Sequence, residues 1–471
     1  MFIKFALILS ALFCFEINAQ NIDTQTLNKI DTYIKEVQNK ANIPAISIGI
    51  IKDDSLVYKK SYSKDENVSA DSLFYIGSLT KSFTALAIMQ LVEDGKINLD
   101  NPVKKYLPWF EIQNMQSVNK ITIQTLLNQT SGFSTYEGLK NFDNWDSSSF
   151  ALEKTIRALK GVRLASKPST TFQYSNINYQ ILGLVIQKIT GLSYNDYIKE
   201  NIFNRLDMKN SFASLKNIDA KQITQGHRLW FGEAIESDFP FSTVMLPAGY
   251  IISNVEDMSK YLIAQLNHGI YKKEQVFSSS MIKQIQTPSA TIIKDKFHYG
   301  FGWFVDTNKE LSLSHMGSVP GYTSNVIMYP QEKLALVVLT NTTAYTLGQK
   351  ELNNLASNIM NIIKDKKINT SEFDLVSISA YIFFIGFIIA QMFLLRYFIK
   401  KLKGASKYKI ILFLIFDIII VISLYLIVPL LYNLTFSVFL MFTPDIGYLI
   451  LGSIIVAILG AIVKINRLSI A

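Results

Sequence analysis

A serine three residues ahead of a lysine puts a hydroxyl and an amine on one helix face, about one turn apart. The sequence offers that pair as Ser78-Leu79-Thr80-Lys81. The chemistry it permits is acyl transfer. A serine hydroxyl is a poor nucleophile until a neighbour takes its proton, and a buried lysine with a lowered pKa is able to serve as that base, directly or through a relay. A helix N-terminus also supplies unpaired backbone N–H groups and partial positive charge near a developing oxyanion. Ser-x-x-Lys occurs five times, from Ser61, Ser78, Ser117, Ser280 and Ser406. Only at Ser78 does it open a long helical pattern: Ala85, Ile88, Leu91 and Val92 recur behind it, and Gly95 marks a stop. Taken alone, the motif also fits an ordinary helix cap, Ser78, followed by a solvated Lys81.

Two further elements carry polar groups suited to the same chemistry. Of the 23 tyrosines, only Tyr174 has an asparagine two residues on, in Phe172-Gln173-Tyr174-Ser175-Asn176. His315-Met316-Gly317 follows the strand-like Leu311–Ser314 and precedes Ser318-Val319-Pro320-Gly321-Tyr322. A competing His-x-Gly stands at His298-Tyr299-Gly300; His315 is preferred because it ends one strand-like run and a turn leads into the next. As a bland alternative, His315 is a satisfied strand-end histidine.

Elements from distant parts of the chain must bring these groups together. Leu27, Ile30, Ile34 and Val37 repeat at helical spacing over residues 24–40. Ala45–Ile51 and Ser55–Tyr62 read as a hairpin across Asp53-Asp54, and Leu73–Ile76 is extended in character. Strand-like runs return at Tyr299–Val305, Leu311–Ser314, Tyr322–Tyr329 and Leu334–Leu339, followed by a helix over about 346–364. Strands at both ends with helices between them predict an α+β domain, one sheet built from both ends and packed against a helical insert.

Composition narrows the setting. The net charge is +9, yet residues 371–471 hold eight of the basic residues against four acidic ones, and no Lys/Arg-rich block occurs over 20–370. Nucleic acid is therefore not expected as a partner. The single cysteine, Cys14, lies in Met1–Ala19, which has a basic start at Lys4 and an apolar centre and reads as a secretory signal peptide. Lipid attachment at Cys14 is disfavoured by the bulky Phe13. A mature chain has no thiol for disulfides or catalysis. The four histidines are scattered, so a histidine-built metal site is not expected, nor is a cofactor.

The C-terminal hundred residues read as membrane. Val376–Leu395, Ile410–Leu431 and Ile446–Val463 are apolar runs near the length needed to span hydrocarbon. Basic residues crowd Arg396–Lys409 and recur at Lys464 and Arg467, whereas Asn433–Asp445 has none. The positive-inside rule puts the basic segments in the cytoplasm and residues 20–370 on the outer face. The expected organisation is a signal peptide over 1–19, a soluble domain over 20–367 and a membrane domain over 368–471, held in the cell (inner) membrane with the domain periplasmic or extracellular. Ser453, Ala457 and Ala461 form a small-residue stripe suited to helix packing. Asp417, inside its span, is either functional or paired with a neighbouring helix.

The ordered set Ser78-x-x-Lys81, Tyr174-x-Asn176 and His315-x-Gly317 resembles the serine β-lactamase and penicillin-binding protein superfamily. The likeness is greatest to its class C β-lactamase-related branch of carboxypeptidases, D-aminopeptidases and esterases. Leu126–Phe133, Pro247–Tyr250, Tyr299–Trp303 and Gly321–Asn341 look like that branch too. The resemblance implies a β-lactamase/transpeptidase-like fold and a two-step acyl transfer. Ser78 would be acylated; Lys81 would help take its proton; Tyr174 would act as general base and then protonate the leaving group. Asn176 would hold the substrate's amide, and the N–H groups of Ser78 and Ser318 would form an oxyanion hole. His315, with Gly317 and Ser318 behind it, stands where β-lactamases and many transpeptidases have Lys-Thr/Ser-Gly. A partly charged imidazole there would bind a substrate carboxylate less well as pH rises from about 5.5 to 8. The expected substrate is a cell-wall D-amino-acid peptide or an ester more than a β-lactam. The other reading is a receptor, acylated by a cell-wall fragment or β-lactam and signalling through the helices.

Overall fold

The computed structural model describes residues 22–216, 218–370, 374–401 and 406–469; the signal peptide expected over 1–19 lies outside them. The first helix, α1 (Thr24–Lys40), is capped by Asp23, whose side chain accepts from Thr26 N, and it buries Ile30, Ile34 and Val37. That stripe needs an apolar partner, and the sheet provides one. Strands β1 (Ala45–Lys52) and β2 (Ser55–Ser63) pair antiparallel as expected. They are joined by β3 (Ala290–Ile293), β4 (Phe297–Tyr299), β5 (Phe304–Asp306), β6 (Ser312–Val319), β7 (Tyr322–Tyr329) and β8 (Leu334–Thr340) in one eight-stranded antiparallel sheet, in the order β2-β1-β8-β7-β6-β5-β4-β3. The N-terminal hairpin thus pairs with the last strand, Ile48 opposite Val338.

Alternation along β1 sorts the two faces. Ile46, Ile48 and Ile50, with Leu336 and Val338 of β8, pack against α1 and the C-terminal helix Gln349–Ile363. Ile51, Val337 and Leu339 face the helical body instead. Gly49 lets the helix Val255–Leu266 approach: a Cβ there would lie 2.5 Å from Val255 Cγ1. At the centre of the helical body is α2 (Thr80–Glu93), almost wholly buried, which ends before Gly95 at φ +70°.

Three expectations change. Tyr299–Val305 is not one strand but the turn of the β4–β5 hairpin. Gly302 (φ +78°) presses this turn onto α2, where a Cβ would come within 2.8 Å of Ser82 Cα. His315 is not at a strand end: β6 runs on to Val319, with His315 opposite Val326, and the turn waits for Gly321 at φ +86°. The third concerns the C-terminal hundred residues.

There, Leu375–Lys400, Lys407–Leu431 and Pro444–Leu468 are three helices long and apolar enough to cross a membrane. Asp417 is paired: Lys464 Nζ donates to its carboxylate, beside Gly460. Ser453 and Ala457 of the small-residue stripe are buried, and Ser453 Oγ donates to Gln391 Oε1 across the helix interface. Between the second and third of these helices, where a plain connection was expected, Phe436–Phe442 forms a short helix capped by Thr435. Its Val438, Met441 and Phe442 join the apolar core of the domain, because a connection this apolar lowers its free energy by burial against that core.

Candidate active site

Ser78 lies in a single helical turn, Gly77–Leu79, between the short strand Phe74–Tyr75 and α2. Phe74–Tyr75 pairs with Ile252–Ser253, and Ile76 N donates to Ile251 O at 2.9 Å. Gly77 has φ +52°, and a Cβ on it would lie 2.5 Å from Ser318 N. Any side chain here would push the turn off β6, so this glycine sets the Ser78 turn against the Ser318 amide. Gly317 does the same from the other side: a Cβ there would sit 2.2 Å from Ile76 O, the carbonyl that accepts from Ser324 Oγ at 2.7 Å.

One turn along α2, Lys81 is fully buried and its Nζ contacts Ser78 Oγ at 3.0 Å, Asn176 Oδ1 at 2.8 Å and Ala248 O at 2.6 Å. All three partners are uncharged. Burial without a counter-charge drives the Lys81 amine well below the usual lysine range. The Ala248 carbonyl is brought up by the turn Leu246–Gly249, which Thr84 Oγ1 anchors by donating to Pro247 O at 2.7 Å. Gly183 leaves room for Pro247, whose Cγ lies 2.3 Å from where a Cβ would stand.

Tyr174 and Asn176 flank the start of the helix Asn176–Thr190. The segment before it is held by Gln129 of the Leu126–Phe133 stretch and by Thr135 just beyond it: Ser175 N donates to Gln129 Oε1 at 3.0 Å, and Thr135 Oγ1 donates to Tyr174 O at 2.9 Å. The Tyr174 ring stands 4.8 Å from Lys81 Nζ and 6.0 Å from the His315 ring, centre to centre. Burial pushes its phenol well above the ordinary tyrosine range, with the neighbouring Ser78 hydroxyl pulling the other way.

His315 is buried. Its Nδ1 lies 2.8 Å from Met316 O, which only accepts, so Nδ1 carries the proton and Nε2 accepts from the Tyr299 hydroxyl at 3.2 Å. Burial first, and the Lys81 charge second, lower its pKa to about 3. The imidazole is therefore held neutral through the physiological range, which corrects the partly charged carboxylate binder expected from the sequence: burial disfavours the charged form. His298 lies elsewhere, facing Thr291 Oγ1 at 3.4 Å.

Ser78, Tyr174, Asn176, His315 and Ser318 line one cavity of about 470 Å³, with Lys81 behind its floor. Three participants escaped sequence reasoning. The Ala248 carbonyl has no side-chain signature, although Pro247–Tyr250 was singled out. Tyr299 and Tyr345 are two tyrosines among many; Tyr345 donates to Ser318 Oγ at 3.1 Å. Tyr432, Leu434, Phe439, Phe442 and Thr443, from between the apolar helices, complete the wall.

The chain has counterparts among known proteins. Residues 30–357 match the family model described as Beta-lactamase. The chain is 31% identical over 320 residues to Protein flp of Staphylococcus aureus (strain MW2), covering 66% of this chain and 62% of that one. It is 26% identical over 327 residues to an unguisins hydrolase of Aspergillus campestris, covering 66% and 60%. The chain thus spans under two thirds of the length of these relatives. Among solved structures, the octameric penicillin-binding protein homologue from Pyrococcus abyssi superposes with a TM-score of 0.62 at 27% identity, covering 72% of this chain and 78% of that one.

Proposed function

Because the chain belongs to the beta-lactamase family, we propose that it is a membrane-anchored serine hydrolase that acylates Ser78 with a small peptide, amide or ester substrate. The observation that carries this is the 3.0 Å contact of Lys81 Nζ with Ser78 Oγ. Two N–H groups of the Lys81 amine satisfy Asn176 Oδ1 and Ala248 O, so that in the neutral form, which burial favours, its lone pair is left for the serine proton. Ser78 Oγ attacks the substrate carbonyl as that proton leaves. The carbonyl oxygen becomes an oxyanion facing the N–H groups of Ser78 and Ser318, each worth about 3 kcal/mol of barrier. Tyr174, a neutral phenol beside Ser78, relays a proton to the leaving group. Water then cleaves the acyl-enzyme, releasing the acid and returning the proton to Ser78. Asn176, His315 and Ser318 position the substrate, with Gly317 keeping β6 close. We place the domain on the periplasmic or extracellular side, supported by the basic residues of Arg396–Lys409. Ser78→Ala should abolish turnover of p-nitrophenyl acetate and leave the thermal midpoint unchanged; retained turnover would refute the assignment.

One set of contacts favours a second reading, a receptor. Tyr345 bonds Ser318 in the cavity, and the next residue, Thr346, donates to the buried Asp445 at the head of the third apolar helix at 2.9 Å. Acylation of Ser78 could thereby reach the helices. A labelled penicillin forming a stable adduct without turnover would select this reading.

A further inference from the structure

The cavity is walled on one side by the connection between the second and third apolar helices. Tyr432 and Leu434 follow directly on the second candidate span and Thr443 directly precedes the third, so whichever way the chain is oriented, this wall stands at a membrane face. The seven-residue helix between them belongs to two apolar clusters at once. Phe439 packs with Ile420, Ile450 and Ile454 of the spans, whereas Phe442 packs in the core of the domain. Both line the cavity with Ser78. The segment is fixed in place: Phe442 meets Phe142 and Tyr345 at ring distances of 5.0 and 5.2 Å, Arg228 Nη1 donates to Met441 O at 3.3 Å, and Ser437 Oγ donates to Asp143 Oδ2 at 2.7 Å.

The lining also has no charge. Among the described residues around the cavity there is no Asp, Glu, Lys or Arg, and His315 is neutral. A substrate carboxylate laid against Leu434, Phe439 and Phe442 would be desolvated with no charged side chain in the lining to pair with it, a cost that hydrocarbon does not incur. A hydrocarbon chain would gain from every methylene it buries.

We propose that the substrate is an uncharged ester or amide bearing a hydrocarbon chain, which enters from the bilayer and lies against Leu434, Phe439 and Phe442 while its carbonyl reaches Ser78. This rests on the serine hydrolase reading and narrows it. The reaction is the one above: Ser78 Oγ displaces the alcohol or amine from the acyl carbon, and water then displaces Ser78.

The full chain, reconstituted in phosphatidylcholine vesicles, tests it with p-nitrophenyl acetate, octanoate and palmitate. kcat/KM is expected to rise about a hundredfold from acetate to octanoate, and the octanoate-to-acetate ratio to fall about tenfold in Phe442→Ala or in the milder Leu434→Gln. Palmitate held in the same vesicles as the protein is expected to be hydrolysed, and palmitate in separate vesicles is not. A ratio near one, a ratio unchanged in both variants, or equal hydrolysis from separate vesicles would overturn the proposal. The hydrolase reading fails separately, if acetate turnover survives Ser78→Ala.

Discussion

His315 Nε2 accepts the Tyr299 hydroxyl at 3.2 Å, and that bond, with Nδ1 committed to Met316 O, fixes a neutral imidazole in the cavity wall. With its pKa lowered to about 3, this group does not change charge between about pH 5.5 and 8. KM for an uncharged ester is therefore expected to be flat, within about twofold, over that range. Stability does respond. Between the folded value and the unfolded value of about 6.5, the unfolded chain binds the extra proton, so stability is fully present above the unfolded value and is lost as pH falls toward the folded one. From pH 7 to 5 the wild type should lose about 2 kcal/mol more than His315→Gln. Urea unfolding of both proteins at the two pH values checks this.

Lys81 has no carboxylate to offset its burial, so its removal should separate activity from stability. Lys81→Met keeps the volume and deletes the amine. Ester turnover is expected to fall about 10³-fold or more. Stability should stay within about 1 kcal/mol, because relief of a desolvated amine offsets two carbonyl oxygens left without a donor. Paired kinetic and denaturation measurements decide it; a variant retaining a tenth of wild-type activity would remove Lys81 from the proton path.

Gly317→Ala tests the close approach of β6 to the Ser78 turn. The new methyl would sit 2.2 Å from Ile76 O and 2.3 Å from Ser324 Oγ. The strand must shift, moving the Ser318 amide from its place beside Ser78. Turnover should drop about 10²-fold with a stability loss of about 1–3 kcal/mol, read from kcat and from the unfolding midpoint.

The Asp417–Lys464 pair inside the apolar helices calls for a double-mutant cycle. Asp417→Ala or Lys464→Met alone strands a charge among Phe398, Phe416 and Ile420, and each is expected to destabilise by about 3–5 kcal/mol. The double variant should recover most of that loss, measured by thermal unfolding in detergent. Additive losses would show that the two groups act independently.

What was legible in the sequence was what side-chain type and spacing carry. Ser78 and Lys81 are one helical turn apart, Tyr174 is the one tyrosine with an asparagine two residues on, and the strands of the central sheet show as runs of β-branched and aromatic residues. Burial was not legible, and burial decides how His315 and Lys81 ionise. The Ala248 carbonyl was hidden because a backbone group has no residue signature. The Tyr299–Val305 run of strand formers concealed a hairpin, although Gly300 and Gly302 inside it were a signal of the turn. In the sequence Phe436–Phe442 reads only as part of the short connection Asn433–Asp445, because its packing against Phe142 and Tyr345 joins residues far apart in the chain and leaves no local signal.

The most direct measurement is the mass of the full chain after brief exposure to a fluorophosphonate, followed by peptide mapping. We expect a single adduct per chain on Ser78, absent in Ser78→Ala and slowed strongly in Lys81→Met. Ester turnover by a chain that carries no label, or a label confined to another serine, would contradict the account at its root.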